Sequence, residues 1–303
     1  LFSTIADYVK PLADKAERIG FCCSYPTEIL PSRDGRLIQF CKEVKAPEVV
    51  GLLVGKNLME ALGKPDKPVV VLNDTVATLM AGKSVSISKS YDSFIGFILG
   101  TGTNTCYIEQ NINIVKNRDL NPGKSQIINL ESGNFKKAPR TDLDIIFDNS
   151  TFDPGSYIFE KMISGGYFGG LSLTVLKAAA REGLFTVETV EQLRSLTDLS
   201  TNDANDFISK SFPETNLLQI TNLFPEANPL RKCFKDKGDA GKGSEIINAL
   251  IERAAKLVAA NLASVILRTG KGKSVDRPVL ITVEGTTFYK LYDFRNRFEG
   301  FFN

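Results

Sequence analysis

The chain has 303 residues, 43% of them hydrophobic and 24% charged, with a formal charge of +2. This is enough for a large core, expected in two lobes, and gives no electrostatic footprint for nucleic acid or an anionic membrane. It contains no histidine, which excludes Ser-His-Asp or Cys-His hydrolysis and His-based zinc chemistry and leaves acid–base work to Asp, Glu, Lys, Tyr or Cys.

No apolar stretch is long enough to span a bilayer and the N-terminus is not signal-like. Cys22, Cys23, Cys41, Cys106 and Cys233 lack metal-ligand spacing and are expected to be buried reduced thiols, which points to a cytoplasmic location.

In chain order, Ile5, Val9, Leu12 and Ala16 share one face of a helix expected over 2–18. A short strand follows from Gly20 to Tyr25, stopped by Pro26, and another from Leu37 to Phe40, with Cys41 and Lys42 at its end. Pro47 to Leu62 reads as a helix with proline in its first turn. The apolar run Val69-Val70-Val71-Leu72 is a buried strand that delivers Asn73 and Asp74 to the start of a helix, Thr75 to Met80. Phe94 to Leu99 is a second apolar strand. It enters Gly100-Thr101-Gly102-Thr103-Asn104 and returns as Thr105 to Ile108. Asn111 to Val115 and Ser125 to Leu130 read as strands, the second ending at Glu131, and 134–154 reads as irregular.

A long helix is expected from Ser156 to Arg181, although Gly165, Gly166, Gly169 and Gly170 imply close packing or a ligand. Helical segments follow over 186–218 and a polar loop over 221–243. Lys237 to Ser244 fails the spacing of a phosphate loop and is read as flexible. Ser244 to Thr269 is the clearest helix, with Leu250, Ile251, Ala254, Val258, Leu262 and Val265 on one stripe and Gly270 as its stop. Pro278 to Val283 is a strand that turns through Glu284-Gly285-Thr286-Thr287 into a final helix.

A carboxylate at a strand end, followed by a glycine-rich turn, suits phosphoryl transfer to an alcohol. The acceptor hydroxyl needs a fixed base, and a triphosphate needs closely approaching backbone N–H groups. Asp74 offers the first and Gly100 to Thr103 the second. The same residues also fit a helix N-cap and a plain hairpin turn. Ser24, Lys42, Asn73 and Asp74 all fall at strand ends, where clefts form in α/β proteins.

Five segments together resemble the hexokinase family, in the actin-like ATPase (ribonuclease H-like) architecture. They are Ser24-Tyr25-Pro26, Asn73 to Val76, Gly100 to Tyr107, Phe159 to Gly165 and Glu284 to Leu291. The resemblance implies a two-lobed α/β fold of mixed sheets with flanking helices around a central cleft. Residues 1–74 would form a small lobe carrying part of the sugar site, and 75–303 a large lobe.

It further implies ATP-dependent phosphorylation of a hexose, glucose first, at its 6-hydroxyl, with Mg²⁺ bridging the nucleotide phosphates. Asp74 would be the general base with Lys42 beside it. Ser24, Cys41, Asn73, Asn104, Glu131 and Glu160 would hold sugar hydroxyls. Gly100, Thr101, Gly102 and Thr103 match the second phosphate segment, and Gly285 and Thr286 the adenosine segment.

Four departures stand out. The family's first phosphate segment would precede Leu1 and its glycine-rich adenine segment would follow Asn303, so truncation at both ends and poor ATP binding are expected. Cys41 replaces the family's usual Thr, and Ser132 its usual Trp. These two leave a kinase for another sugar open, and a catalytically weak sugar-binding regulator is the reading from a different class.

Overall fold

A parallel pair of short apolar strands organises the first part of the computed structural model, which describes residues 1–40, 46–86, 89–209 and 228–302. β1 (Ile19–Cys23) lies beside β4 (Val69–Asn73), with Cys23 opposite Asn73. α1 (Phe2–Ala13) stops five residues before the expected Arg18, because its buried face ends at Ala13 and a polar turn follows. β2 (Thr27–Ile29) and β3 (Gly35–Leu37) form an antiparallel hairpin, so the strand expected over 37–40 sits earlier. Gly35 fixes that hairpin: a Cβ there would lie 2.6 Å from Thr27 Cγ2 and 2.8 Å from Val71 Cγ1.

The helix expected over 47–62 is two pieces, a 3-10 turn at Pro47–Val49 and α2 (Val54–Ala61). Gly51, at φ +83°, turns the chain between them. The start of α2 is capped from a distance: Asp34 accepts from the N–H groups of Gly55 at 2.7 Å and Lys56 at 2.9 Å. α3 (Asp74–Val85) follows β4 with no intervening loop.

β5 (Ser93–Leu99), β6 (Thr103–Gln110), β7 (Ser125–Asn129) and β8 (Val279–Glu284) make a sheet of order β7-β6-β5-β8. The strand expected over 111–115 is a 3-10 turn, Asn111–Asn113. Amides there bond locally instead, Asn111 Nδ2 to Asn121 O and Asn113 Nδ2 to Glu109 Oε1, both at 2.8 Å.

The stretch expected to be irregular contains α4 (Asp142–Asn149), started by a capping box between Thr141 and Asp144. The long helix expected over 156–181 breaks into α5 (Ile158–Ile163) and α6 (Phe168–Arg181). In the break, the N–H groups of Gly165 and Gly166 donate to Gly100 O and Thr101 O, both at 2.8 Å, rather than continuing a helix.

α7 (Val187–Ser195), α8 (Thr201–Ser209) and α9 (Pro229–Cys233) follow; residues 210–218 of the expected helical region and 221–227 of the expected loop lie outside the described residues. α10 (Lys237–Thr269) begins seven residues before the expected Ser244, so the expected flexible loop at 237–244 is helix. Its start is fixed by tertiary contacts. Asp236 caps it, and buried Asp239 accepts from Thr186 N at 2.8 Å and Thr186 Oγ1 at 2.7 Å. Gly270 ends it at φ +63°, as expected. α11 (Thr286–Lys290) and α12 (Phe294–Phe302) complete the chain.

Contacts divide the chain into two compact units: Leu1–Gly96, Cys106–Asn129 and Leu280–Thr282 in the first, Phe97–Thr105, Leu130–Val279 and Val283–Asn303 in the second. The expected small lobe, 1–74, lies within the first. That unit's core packs Ala6 and Ala13 of α1 against Leu58 and Met59 of α2, with Val71, Val54 and Leu37 in a neighbouring cluster. In the second unit the whole expected stripe of α10 is buried, and Phe288 meets Phe97, Phe294 and Phe298 edge to face. The architecture is mixed α/β, the expected class. Among the described residues no helix is long and apolar enough to cross a membrane.

Candidate active site

In the first unit the register does the positioning. Because Cys23 and Asn73 are partners on adjacent parallel strands, Ser24 and Asp74 each stand one residue past the carboxyl ends of β1 and β4, the edge where α/β sheets bind ligands. Asn73, buried, is the N-cap of α3: its Oδ1 accepts from Thr75 N–H at 2.9 Å. Asp74 is half-buried at the first helical position, and its Oδ1 accepts from the same N–H at 2.8 Å and from Thr75 Oγ1 at 3.4 Å. Oδ2 takes no hydrogen bond among the described residues. The carboxylate is thus oriented through one oxygen while the other stays available. Ser24 is exposed. Cys41 and Lys42 lie outside the described residues.

The described cysteines near this end are free thiols. Adjacent positions on a strand face opposite ways, so Cys23 is buried while Cys22 is exposed, correcting the expectation that both are buried. Partial burial, then the Asp74 charge, raise the Cys22 thiol pKa. Cys106 is buried, donates to Thr75 O at 3.2 Å and is pushed up to about 12, chiefly by burial.

The second unit holds a cluster of amides and carboxylates. Glu160, on α5, is 2% exposed and accepts from the Thr103 N–H at 2.8 Å. Asn104 donates through Nδ2 to Glu131 Oε1 at 3.3 Å, while its Oδ1 accepts from the N–H groups of Thr105 at 2.7 Å and Ser132 at 3.3 Å. Glu131 adopts a left-handed backbone at φ 51°, a conformation costing a non-glycine residue on the order of 1 kcal/mol. Gly133 lets this corner close on Glu160, since a Cβ would sit 2.8 Å from Thr103 O and 3.1 Å from Glu160 Oε2. Asn104, Glu131 and Glu160 are therefore brought together.

The glycine turn is tied down from behind. Gly100 N–H closes it onto Gly102 O at 2.9 Å, and Gly100 O also accepts from Thr287 Oγ1 at 2.9 Å. Gly285 packs against its base: at φ +119°, a Cβ there would lie 2.3 Å from Leu99 O and 2.8 Å from Gly100 N. Close packing, the first of the two alternatives, accounts for Gly165 and Gly166, whose Cβ atoms would meet Thr287 Oγ1 at 2.2 Å and Thr101 O at 2.6 Å.

Thr103 donates both its groups internally, N–H to Glu160 and Oγ1 to Ile98 O at 2.9 Å. The N–H groups of Thr101 and Gly102 form no hydrogen bond among the described residues, so these two suit a phosphate oxygen. Thr286 is exposed at the start of α11. Sequence reasoning missed Thr287 and Asn261. The first is the next residue along the matched segment. The second is a polar residue inside the apolar pattern of α10, and its Nδ2 donates to Thr105 Oγ1 at 2.8 Å. Among the described residues, no three potential ligands cluster as a metal site.

A hexokinase family profile matches residues 94–303, and a second hexokinase profile matches residues 1–84. The chain is 30% identical over 94% of its length to Hexokinase-7 of Oryza sativa subsp. japonica, covering 62% of that protein. It is 30% identical over 93% of its length to a glucokinase of Aspergillus niger, covering 60% of it. The chain thus spans about 60% of the length of these curated relatives. The structure of a hexokinase from Schistosoma mansoni complexed with glucose matches with a TM-score of 0.80 at 24% identity, over 99% of this chain and 68% of that one. That likeness is one of fold, and the fold is the one the five segments implied.

Proposed function

The chain belongs to the hexokinase family, and from that premise we propose that it serves ATP-dependent phosphorylation of a hexose, glucose foremost, at the 6-hydroxyl. The products are hexose 6-phosphate and ADP. The observation that carries the reading is the posture of Asp74, with one oxygen held by Thr75 and the other available at the carboxyl end of a parallel strand pair. A carboxylate so placed takes the proton of an alcohol as its oxygen attacks phosphorus.

Asn104, Glu131 and Glu160 offer a directional set of amide and carboxylate groups of the kind that sorts sugar hydroxyls. Ser24 and Asn73 belong with Asp74 in the same role. Cys41 and Lys42 keep the roles implied by the resemblance. Asn73 comes with a restriction, since one lone pair of its Oδ1 is committed to capping α3, which leaves its two amide N–H donors and the second lone pair for a sugar.

ATP with Mg²⁺ supplies the phosphoryl group and neutralises its charge. The turn Gly100 to Thr103 is the phosphate contact, narrowed to the Thr101 and Gly102 N–H groups because Thr103 is engaged. Gly285, packed at the base of that turn, and the exposed Thr286 after it are the adenosine contact.

The test is hexose-dependent ADP formation by the intact protein and its Asp74→Asn variant. Asparagine retains an oxygen for the Thr75 N–H, so the local fold is kept. ADP formation should fall about 10²–10⁴-fold while glucose still binds. Unchanged turnover overturns the base assignment. Glucose binding without ADP formation in the parent replaces the kinase with a sugar-binding regulator, and failure to bind glucose refutes the choice of sugar.

A further inference from the structure

α5 is only six residues long, Ile158–Ile163, and every one of them is buried. A helix this short has little stability of its own, so its place is set by what it touches. It nevertheless carries Glu160, which accepts from the Thr103 N–H at 2.8 Å. The next residue, about 100° round the helix, is Lys161. Its ammonium is buried and donates to Asp148 Oδ1 and to Asp153 O, both at 2.6 Å.

Asp148 gathers more than this lysine. It also accepts from Gly155 N–H at 3.0 Å and from Arg140 Nη1 at 3.4 Å, so it ties the end of α4 and the turn at 153–155 to α5. Tyr157 enters the helix with a left-handed backbone at φ 51°, and its N–H donates to Asn134 Oδ1 at 3.1 Å. The helix that holds Glu160 is therefore fixed at its entry and along its side by polar contacts.

Stability alone does not account for the Lys161–Asp148 pair. The cost of burying both ions offsets much of their attraction, and apolar replacements of similar volume are often as stable. Ile158, Phe159, Met162 and Ile163 already give α5 apolar contact. Apolar packing has no direction, whereas two hydrogen bonds to fixed oxygens define the rotation of the helix about its axis. Side-chain ends lie roughly 5–6 Å from a helix axis, so a turn of about 10° moves a carboxylate by about 1 Å. That is enough to take a hydrogen bond of about 2.8 Å out of bonding range. We propose that Lys161 is a positioning residue: by bonding Asp148 and Asp153 it sets the rotation of α5 and so aims Glu160 at a hexose hydroxyl. This rests on the hexose reading of Glu160.

The experiment is titration calorimetry with glucose on the intact protein, paired with KM and kcat for glucose. In Lys161→Met both Kd and KM should rise about tenfold or more, while kcat stays within about threefold, the pattern of lost uniform binding. Simple destabilisation would instead lower the number of sites titrated at unchanged Kd. Glu160→Gln should weaken glucose binding similarly, and adding Lys161→Met to it should cost less than about threefold more, because the lysine acts through the glutamate. Combining Asp148→Asn with Lys161→Met removes both charges together. That variant should melt within about 5 °C of the parent and still bind glucose about tenfold more weakly.

Glucose affinity close to the parent's in either lysine variant overturns the inference. So does a full multiplicative loss when Glu160→Gln and Lys161→Met are combined, which would make the two residues independent. A charge-free variant that fails to fold marks the pair as purely structural and overturns it as well. Failure of the unmodified protein to bind glucose refutes the hexose reading instead, and the inference falls with it.

Discussion

Replacing Asp144 by alanine tests how the second unit holds α10 in register with the candidate site. Asp144 is 3% exposed and binds Arg253 of α10 in a two-pronged pair, Oδ1 to Nη2 at 2.8 Å and Oδ2 to Nη1 at 2.9 Å. Oδ2 also accepts from Thr141 N–H and Oγ1, both at 2.8 Å, completing the capping box of α4.

Removing one partner of a fully buried pair costs about 3–5 kcal/mol. Arg253 is 27% exposed and recovers some hydration, which lowers the pair's share to ~2 kcal/mol. Loss of the capping box adds about 1 kcal/mol, so ~3 kcal/mol is expected in all. Urea unfolding at pH 7, with Arg253→Met and the double variant, measures both the loss and the coupling.

The pH dependence follows from the same contacts. Burial raises the Asp144 pKa, but the Arg253 guanidinium and the Thr141 donors outweigh it and hold the carboxyl below the usual range. A carboxylate lowered in the folded state contributes stability that is full above its unfolded pKa and is lost as pH falls through the folded one. The gap between wild type and Asp144→Ala should therefore narrow in acid. A loss below ~1 kcal/mol at pH 7, or a coupling near zero in the cycle, would refute the account.

Three further outcomes are expected. Asp34→Ala removes the acceptor for the N–H groups of Gly35, Gly55 and Lys56; it should cost ~2–4 kcal/mol and speed hydrogen exchange at the start of α2, with Asp34→Asn intermediate. Glu131→Gly relieves the left-handed backbone at φ 51°, so the calorimetric melting temperature should rise while hexose affinity falls tenfold or more; a lower melting temperature would show that no strain is stored there. Iodoacetamide at pH 8 should leave Cys106, a buried thiol with its pKa pushed up to about 12, unmodified until the protein is unfolded. Cys22, exposed, should be the first modified of the four cysteines described, as peptide mass spectrometry would show.

Much of the candidate site was legible in sequence because its parts are local. Asn73 and Asp74 lie where an apolar strand meets a helix, and the turn at Gly100 lies between two strands, so period and punctuation alone located them. The stripe of α10 was read correctly for the same reason: 3.6-residue spacing records burial directly.

Several of the misses were features decided by residues distant in sequence. The first turns of α10 carry three glycines and look like a loop, but Asp239 is anchored by Thr186 across 53 positions. The helix expected through Gly165 and Gly166 breaks because their N–H groups are claimed by the carbonyls of Gly100 and Thr101. The N–H of Thr103, whose phosphate role remains a proposal, is bonded to Glu160, 57 residues away. Hydrophobic period and local backbone preference were enough to place the junction of β4 with α3, the turn between β5 and β6 and the residue types of the candidate site. Which donors remain available and which are satisfied internally became visible in the folded chain alone, because a hydrogen bond between distant segments leaves no local trace in the sequence.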